Sequence, residues 1–132
     1  MQVRPIVAIL ETMWGDRAGR APRHFKINPL NCSGRRLYKL VGPGNADRLL
    51  VTNACKELVT NANRHGKPDP NWLLENLRRL DPDLILVCGS VAKKTFKECG
   101  YVPLRHPVYM PHPAARNWTK RRLRETQRAI QK

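Results

Sequence analysis

The chain has 132 residues, and its 25 Lys and Arg against 10 Asp and Glu give a formal net charge of +15. This length predicts a single domain over residues 1–132, and a hydrophobic content of 41% argues against wholesale disorder. No apolar run approaches the ~20 residues that span a bilayer, so we expect no membrane-spanning segment. The charge predicts a polyanionic partner, for which nucleic acid is the commonest candidate and an acidic membrane surface the other.

Two kinds of apolar pattern alternate along the chain. Short runs rich in β-branched residues predict buried strands, while apolar residues three and four apart predict helices. Ser33 is placed to cap the first helix, Gly42-Pro43-Gly44 to end it, and Asp69 to begin the second. In chain order we expect a strand over 5–10, a long loop over 11–32, a helix over 33–41, a strand over 49–54, a helix over 69–80, a strand over 83–88, a helix over 90–98, a strand over 107–110 and a basic helix from Asn117 onward.

This alternation predicts the fold class α/β, with three layers (helices, sheet, helices) and a mainly parallel sheet of four strands. In such sheets ligands bind at the carboxyl ends of the strands. Chemistry is therefore expected in the segments just past those ends, which are 11–16, 53–56, 89–90 and 112–116. Basic residues are dense in the long loop and near the C-terminus, where they favour contact with phosphates.

Four motifs lie at the predicted strand ends, namely Leu10-Glu-Thr-Met-Trp-Gly15, Thr52-Asn53, Pro82-Asp-Leu-Ile-Leu-Val-Cys-Gly-Ser-Val-Ala92 and His112-Pro-Ala114. In this order they resemble the hallmarks of the uracil-DNA glycosylase superfamily, in the branch of the type 4 and mismatch-specific enzymes. The resemblance covers most of the chain and implies the fold of that superfamily. It also implies a DNA glycosylase of base excision repair, an enzyme that hydrolyses the N-glycosidic bond of uracil or another altered pyrimidine.

The resemblance gives roles to the later motifs. Asn53 would read the edge of the base, because an amide offers both a donor and an acceptor. His112 would stabilise the departing base as charge builds on its oxygen. The loop beyond His112 would hold phosphates or probe the duplex, so the DNA-binding candidates are Arg116, Lys120, Arg121 and Arg122.

The first motif departs from the family pattern. The positions of the family's water-activating or charge-stabilising residue are occupied by Thr12 and Met13, so Glu11 and Asp16 are the nearest catalytic acids. The side chain that stacks on the base falls near Leu30 by spacing. The remaining base-binding candidates are Trp14, Gly15 and Phe25, the last as the nearby aromatic alternative to Leu30.

The cysteines bear on cofactors and compartment. The type 4 enzymes hold an iron–sulfur cluster on four closely spaced Cys, whereas Cys32, Cys55, Cys88 and Cys99 are scattered, so we expect no such cluster. No pair of His has metal-ligand spacing, and we expect no metal and no other cofactor. Scattered Cys indicate reduced intracellular thiols. We expect a cytoplasmic monomer associated with nucleoid or viral DNA.

Two other functions compete with the enzyme. Met13 and Trp14 in the first motif favour a catalytically inactive glycosylase-like protein that binds nucleic acid. The charge alone permits a basic RNA- or ribosome-associated α/β protein. The partner predicted by the motifs and the charge together is DNA, single- or double-stranded, and not a membrane.

Overall fold

The structure is a computed structural model that describes residues 3–13, 19–60 and 66–131. It contains β1 (Ile6–Leu10), α1 (Cys32–Val41), a 3-10 helix (Pro43–Arg48), β2 (Leu49–Asn53), α2 (Pro70–Leu80), β3 (Leu84–Cys88), α3 (Ser90–Cys99), β4 (Val108–Met110) and α4 (Lys120–Gln131). Every strand and helix expected from the sequence is present with bounds that agree within three residues, and the 3-10 helix is an addition to that pattern.

The largest difference from the predicted bounds is the start of α4, which begins at Lys120 instead of Asn117. Thr119 caps this helix, because its Oγ1 accepts a hydrogen bond from the Arg122 N–H at 3.1 Å and its carbonyl accepts one from the Leu123 N–H at 3.0 Å. The residues before the cap therefore form a loop that leads from β4 into the helix.

The four strands form one parallel sheet in the order β2-β1-β3-β4. In the register, Leu10 at the end of β1 lies opposite Asn53 at the end of β2, and Cys88 at the end of β3 lies opposite Met110 at the end of β4. This arrangement confirms the predicted fold class. It also brings the carboxyl ends of all four strands to one edge of the sheet.

Helices cover both faces of the sheet. Side chains of β1 alternate, with Ile6, Ala8 and Leu10 in the apolar cluster beneath α1 and α4, and Val7 and Ile9 in the cluster beneath α2 and α3. The molecule therefore has the three predicted layers. Within the described residues, no helix has the length and apolar character needed to cross a membrane.

The turn before α1 depends on a glycine. The prediction of Ser33 as the cap of α1 is wrong, because Ser33 lies within the first turn of the helix. Asn31 caps the helix, and its Oδ1 accepts a hydrogen bond from the Gly34 N–H at 2.6 Å. A Cβ added at Gly34 would overlap the carbonyl oxygen of Asn28, so only glycine lets the incoming loop lie this close to the first turn of α1.

We expect Gly34→Ala to lower the free energy of unfolding by about 1–3 kcal/mol, because the added methyl group forces the backbone of Asn28 to move. Gly44→Ala is the matched control, since among the described residues no atom lies within 4 Å of a Cβ at Gly44. The control should be neutral or stabilising by up to about 1 kcal/mol. Urea unfolding of both variants makes the comparison, and equal losses would contradict this account of the turn.

Candidate functional site

A cleft of about 560 Å³ opens at the carboxyl edge of the sheet. It is bounded by the ends of β1 and β2, the loop after β4 and the first turn of α1. Its lining residues are Leu10, Glu11, Thr12, Met13, Phe25, Ile27, Asn31, Cys32, Ser33, Asn53 and His112. The structure thus brings four of the sequence candidates into one cavity, namely Glu11, Phe25, Asn53 and His112.

Asn53 is a buried polar residue in the wall of this cleft, with 1% of its surface exposed. Neither its Oδ1 nor its Nδ2 has a hydrogen-bond partner among the described residues. Its neighbour Thr52 is also buried, but Thr52 donates to the Arg23 carbonyl at 2.7 Å and accepts from Asn76 at 3.4 Å. Because buried amides are nearly always hydrogen-bonded, the side chain of Asn53 is one donor and one acceptor that a polar group entering the cleft could engage.

Backbone contacts fix the tautomer and position of His112. The Ala114 N–H donates to His112 Nδ1 at 3.1 Å, so the neutral ring carries its proton on Nε2 and can donate from that atom. The His112 carbonyl accepts two hydrogen bonds, from the Ala115 N–H at 2.9 Å and from Trp118 Nε1–H at 3.0 Å. The ring therefore enters the cleft from a firmly held turn.

Burial and a nearby carboxylate act in opposite directions on the pKa of His112. Burial lowers the pKa of His112 below its usual value of 6.5, and the negative charge of Glu11 opposes this shift by raising the pKa. Glu11 is exposed at the end of β1. Together with burial, which is the larger cause, it also raises the pKa of the Cys55 thiol to about 11. Glu11 therefore supplies negative charge to this part of the cleft.

Of the two candidates for the stacking side chain, the structure brings Phe25 to the cleft and not Leu30. Phe25 pairs with Val51 of β2 through two backbone hydrogen bonds of 2.9 Å, which hold its half-buried ring against the cavity. The Leu30 N–H donates to the side chain of Asn28 at 2.9 Å, in a turn that leaves Leu30 75% exposed and outside the lining. The candidates Trp14, Gly15 and Asp16 lie outside the described residues.

The basic candidates lie on two sides of α4. Arg116 is exposed in the loop after His112, and Lys120 faces a depression shared with α1. Arg121 and Arg122 instead line a separate depression beside β4, where Arg121 pairs with Glu125 at 3.0 Å. The predicted DNA-binding set is therefore not one continuous loop.

Sequence reasoning missed several residues of the site. Trp118 lies before α4, packs against the apolar cluster beneath α1 and α4, and holds the His112 backbone. Asn31, Cys32 and Ser33 line the cleft because α1 begins there. The signal for these three was available, since a helix that follows a strand of a parallel sheet begins at the ligand-binding edge.

The cysteines do not fit a four-cysteine iron–sulfur cluster. Cys88 is buried in the cluster beneath α1 and α4, and Cys99 is buried in the cluster on the opposite face of the sheet. Cys55 is buried as well, while Cys32 is exposed at the start of α1. In the part of the chain that the structure describes, no group of three or more His, Cys, Asp or Glu could hold a metal ion.

Fold and cleft define a class: a three-layer α/β protein with a cavity of mixed polar and apolar lining at the carboxyl edge of a parallel sheet. The Uracil DNA glycosylase superfamily matches residues 12–132, and the chain belongs to that superfamily. Membership indicates a DNA glycosylase-like function within base excision repair. No curated protein matches the chain.

The contacts of His112 predict its titration. We expect the pKa of His112 to lie below 6.5, and Glu11→Gln to lower it further because the substitution removes the charge that favours the imidazolium form. Glu98→Gln, an exposed change near the far end of α3, should leave the value unchanged. NMR titration of the ring protons measures all three proteins, and a pKa that rises in Glu11→Gln would contradict this assignment.

Proposed function

We propose that the protein is a DNA glycosylase that removes uracil or another altered pyrimidine from single- or double-stranded DNA. The observation that carries this proposal is the buried amide of Asn53, whose donor and acceptor have no partner among the described residues. Superfamily membership supports the reaction class, and the net charge of +15 supports a polyanionic substrate.

The substrate base must leave the base stack of the DNA before it reaches the cleft. Extrusion costs a few kcal/mol of stacking and pairing, which contacts in the cleft must offset. The N3–H and O4 of uracil present one donor beside one acceptor, which complement the Oδ1 and Nδ2 of Asn53. The ring of Phe25 provides an apolar face against which the base can stack.

Bond cleavage develops opposite charges on the two products. As the bond between the sugar C1′ and the base N1 breaks, its electron pair passes to the base, where O2 takes up negative charge. His112 Nε2–H is the donor proposed for that oxygen, and it acts without prior reorganisation because the turn around His112 is already held.

The sugar becomes electron-poor in the same step and is captured by water, which then loses a proton. We assign Glu11 to this side of the reaction, because it lines the cleft and its charge acts on His112. Its carboxylate can stabilise the positive sugar and accept the proton from water. Asp16, the other acid predicted from the sequence, stays a second candidate for the same task.

The enzyme is tested by incubating the protein with duplexes and single strands that carry uracil or modified pyrimidines and measuring abasic sites. We expect His112→Ala to slow excision about 10²–10³-fold, the usual loss for one preorganised donor. His106→Ala, an exposed histidine before β4, should leave the rate unchanged. Folded protein that binds these DNAs without forming abasic sites would contradict the proposal and indicate the inactive binding protein instead.

A second prediction separates stability from function at Asn53. Asn53→Leu should abolish base excision yet leave the free energy of unfolding unchanged or raised, because it removes two buried polar atoms that lack partners in the described structure. Asn76→Leu is the matched control, since this buried amide accepts from Arg23 at 3.1 Å and donates to Thr52 at 3.4 Å.

The control should lose about 1–3 kcal/mol of stability because partners are left unpaired. Urea unfolding and the abasic-site assay give the two readouts for both variants. An Asn53→Leu protein that is strongly destabilised would mean that the amide serves the fold and not a ligand.

A further inference from the structure

A second depression, of about 440 Å³, lies between α1 and the start of α4. We call it the α1–α4 groove, and its lining residues are Cys32, Arg35, Arg36, Lys39, Trp118, Thr119, Lys120 and Leu123. Three of its four cationic side chains, Arg35, Arg36 and Lys39, lie on α1. The sequence motifs predict no DNA-binding residue on this helix.

The charge of the groove is uncompensated. No carboxylate lines it, and within the described part of the chain none of its cations forms a salt bridge, whereas Arg23 and Arg121 each pair with a glutamate. The reason is visible in the sequence, where residues 17–46 and 99–124 contain no Asp or Glu. The fold packs α1, which lies in the first of these stretches, against α4, which begins within the second.

The groove adjoins the base cleft. Cys32 lines both cavities, so the first turn of α1 is their common wall. Trp118 joins them at the other side, since its Nε1–H donates to the His112 carbonyl while the Arg36 guanidinium lies 5.1 Å from its ring centroid. This cation–π contact orients Arg36, and a planar guanidinium held in this way matches a phosphate.

We infer that the α1–α4 groove binds the backbone phosphates of one nucleic-acid strand where it leaves the base cleft. The inference rests on the proposed function, because the cleft defines the nucleotide from which the strand continues. A basic groove beside an aromatic side chain is the usual form of a site for a single strand. Contacts to phosphates position the strand but do not distinguish one base from another. The groove would therefore increase affinity and fix the position of the strand, while Asn53 would select the base.

The test compares a groove variant with a control of equal charge change. The groove variant carries Arg35→Gln, Lys39→Gln and Lys120→Gln, and it retains Arg36 so that the contact with Trp118 is kept. The control variant carries Lys93→Gln, Lys94→Gln and Lys97→Gln, which are exposed on α3 over the opposite face of the sheet.

Binding is measured over a range of salt concentrations with a single-stranded oligonucleotide that carries 2′-fluorodeoxyuridine, whose electron-withdrawing fluorine suppresses cleavage. Each phosphate contact on a single strand contributes about 0.7 to the slope of log K against log salt, so the groove variant should lose about two units of slope. Slopes and affinities equal to those of the control variant would overturn the inference.

Crosslinking of the native chain provides a second measurement that requires no stable variant. All four cysteines are described, and only Cys32 is exposed among them. Oligonucleotides with an activated disulfide tether on successive phosphates should exchange with the Cys32 thiol, which releases the tether's leaving thiol, when the tether lies next to the target nucleotide on one side only. Crosslinks of equal yield at all positions would contradict a defined strand path.

The outcomes also separate this inference from the proposed function. In one outcome the native chain binds the fluorodeoxyuridine and thymidine oligonucleotides equally well, while the groove variant still has a weaker salt dependence of binding. The proposal of base recognition then fails, and the inference that the groove binds phosphates is supported. If the preference persists without a change in slope, the groove inference fails alone. A loss of binding to phosphatidylserine vesicles without any loss on the oligonucleotide would assign the groove to a membrane surface instead.

Discussion

Backbone hydrogen bonds join β1 to a parallel strand on each side, and this pairing sets where the parts of the site lie. Parallel strands need crossover connections, so their carboxyl ends gather at one edge while the helices return over the two faces. The Ala54 N–H donates to the Leu10 carbonyl at 2.8 Å, and the Gly89 N–H donates to the Met110 carbonyl at 2.9 Å. These bonds continue the lateral contacts past the strand ends, which is why residues from four distant parts of the sequence share one cleft.

The end of β2 shows how the fold places polar groups at this edge. Side chains alternate along a strand, so Thr52 reaches its partners at Arg23 and Asn76 while Asn53 lines the cleft. Each buried polar atom without a partner costs about 1–3 kcal/mol. In the described structure Asn53 therefore carries a stability cost that an apolar side chain would avoid, and under the proposed function the bound base would offset it.

The elements of the fold were predictable because their signals are local. Apolar β-branched runs define the strands, and Gly42, which adopts a φ of 84°, ends α1 where the Gly-Pro-Gly sequence indicates. Asn53 and His112 could be selected because they lie at strand ends, and the parallel sheet brings all strand ends together. For these residues, position in the chain was enough to predict position in the fold.

The loops were less predictable, because their paths depend on contacts between segments distant in sequence. Spacing in the family pattern indicates Leu30, but a turn at Asn28 directs Leu30 to solvent and pairing with β2 brings Phe25 to the cleft instead. The link from Trp118 to His112 likewise requires the loop before α4 to fold back on the turn after β4. No periodicity in the sequence encodes such contacts.

The distribution of charge follows from the proposed reaction. A net charge of +15 favours DNA but opposes an electron-poor sugar, so a glycosylase of this composition needs negative charge close to the cleft and positive charge beside it. Under the proposed function Glu11 would meet the first need and the cations of the α1–α4 groove the second. Phosphates bound in the groove would neutralise those cations, so binding of the strand itself would remove part of the field that opposes bond cleavage.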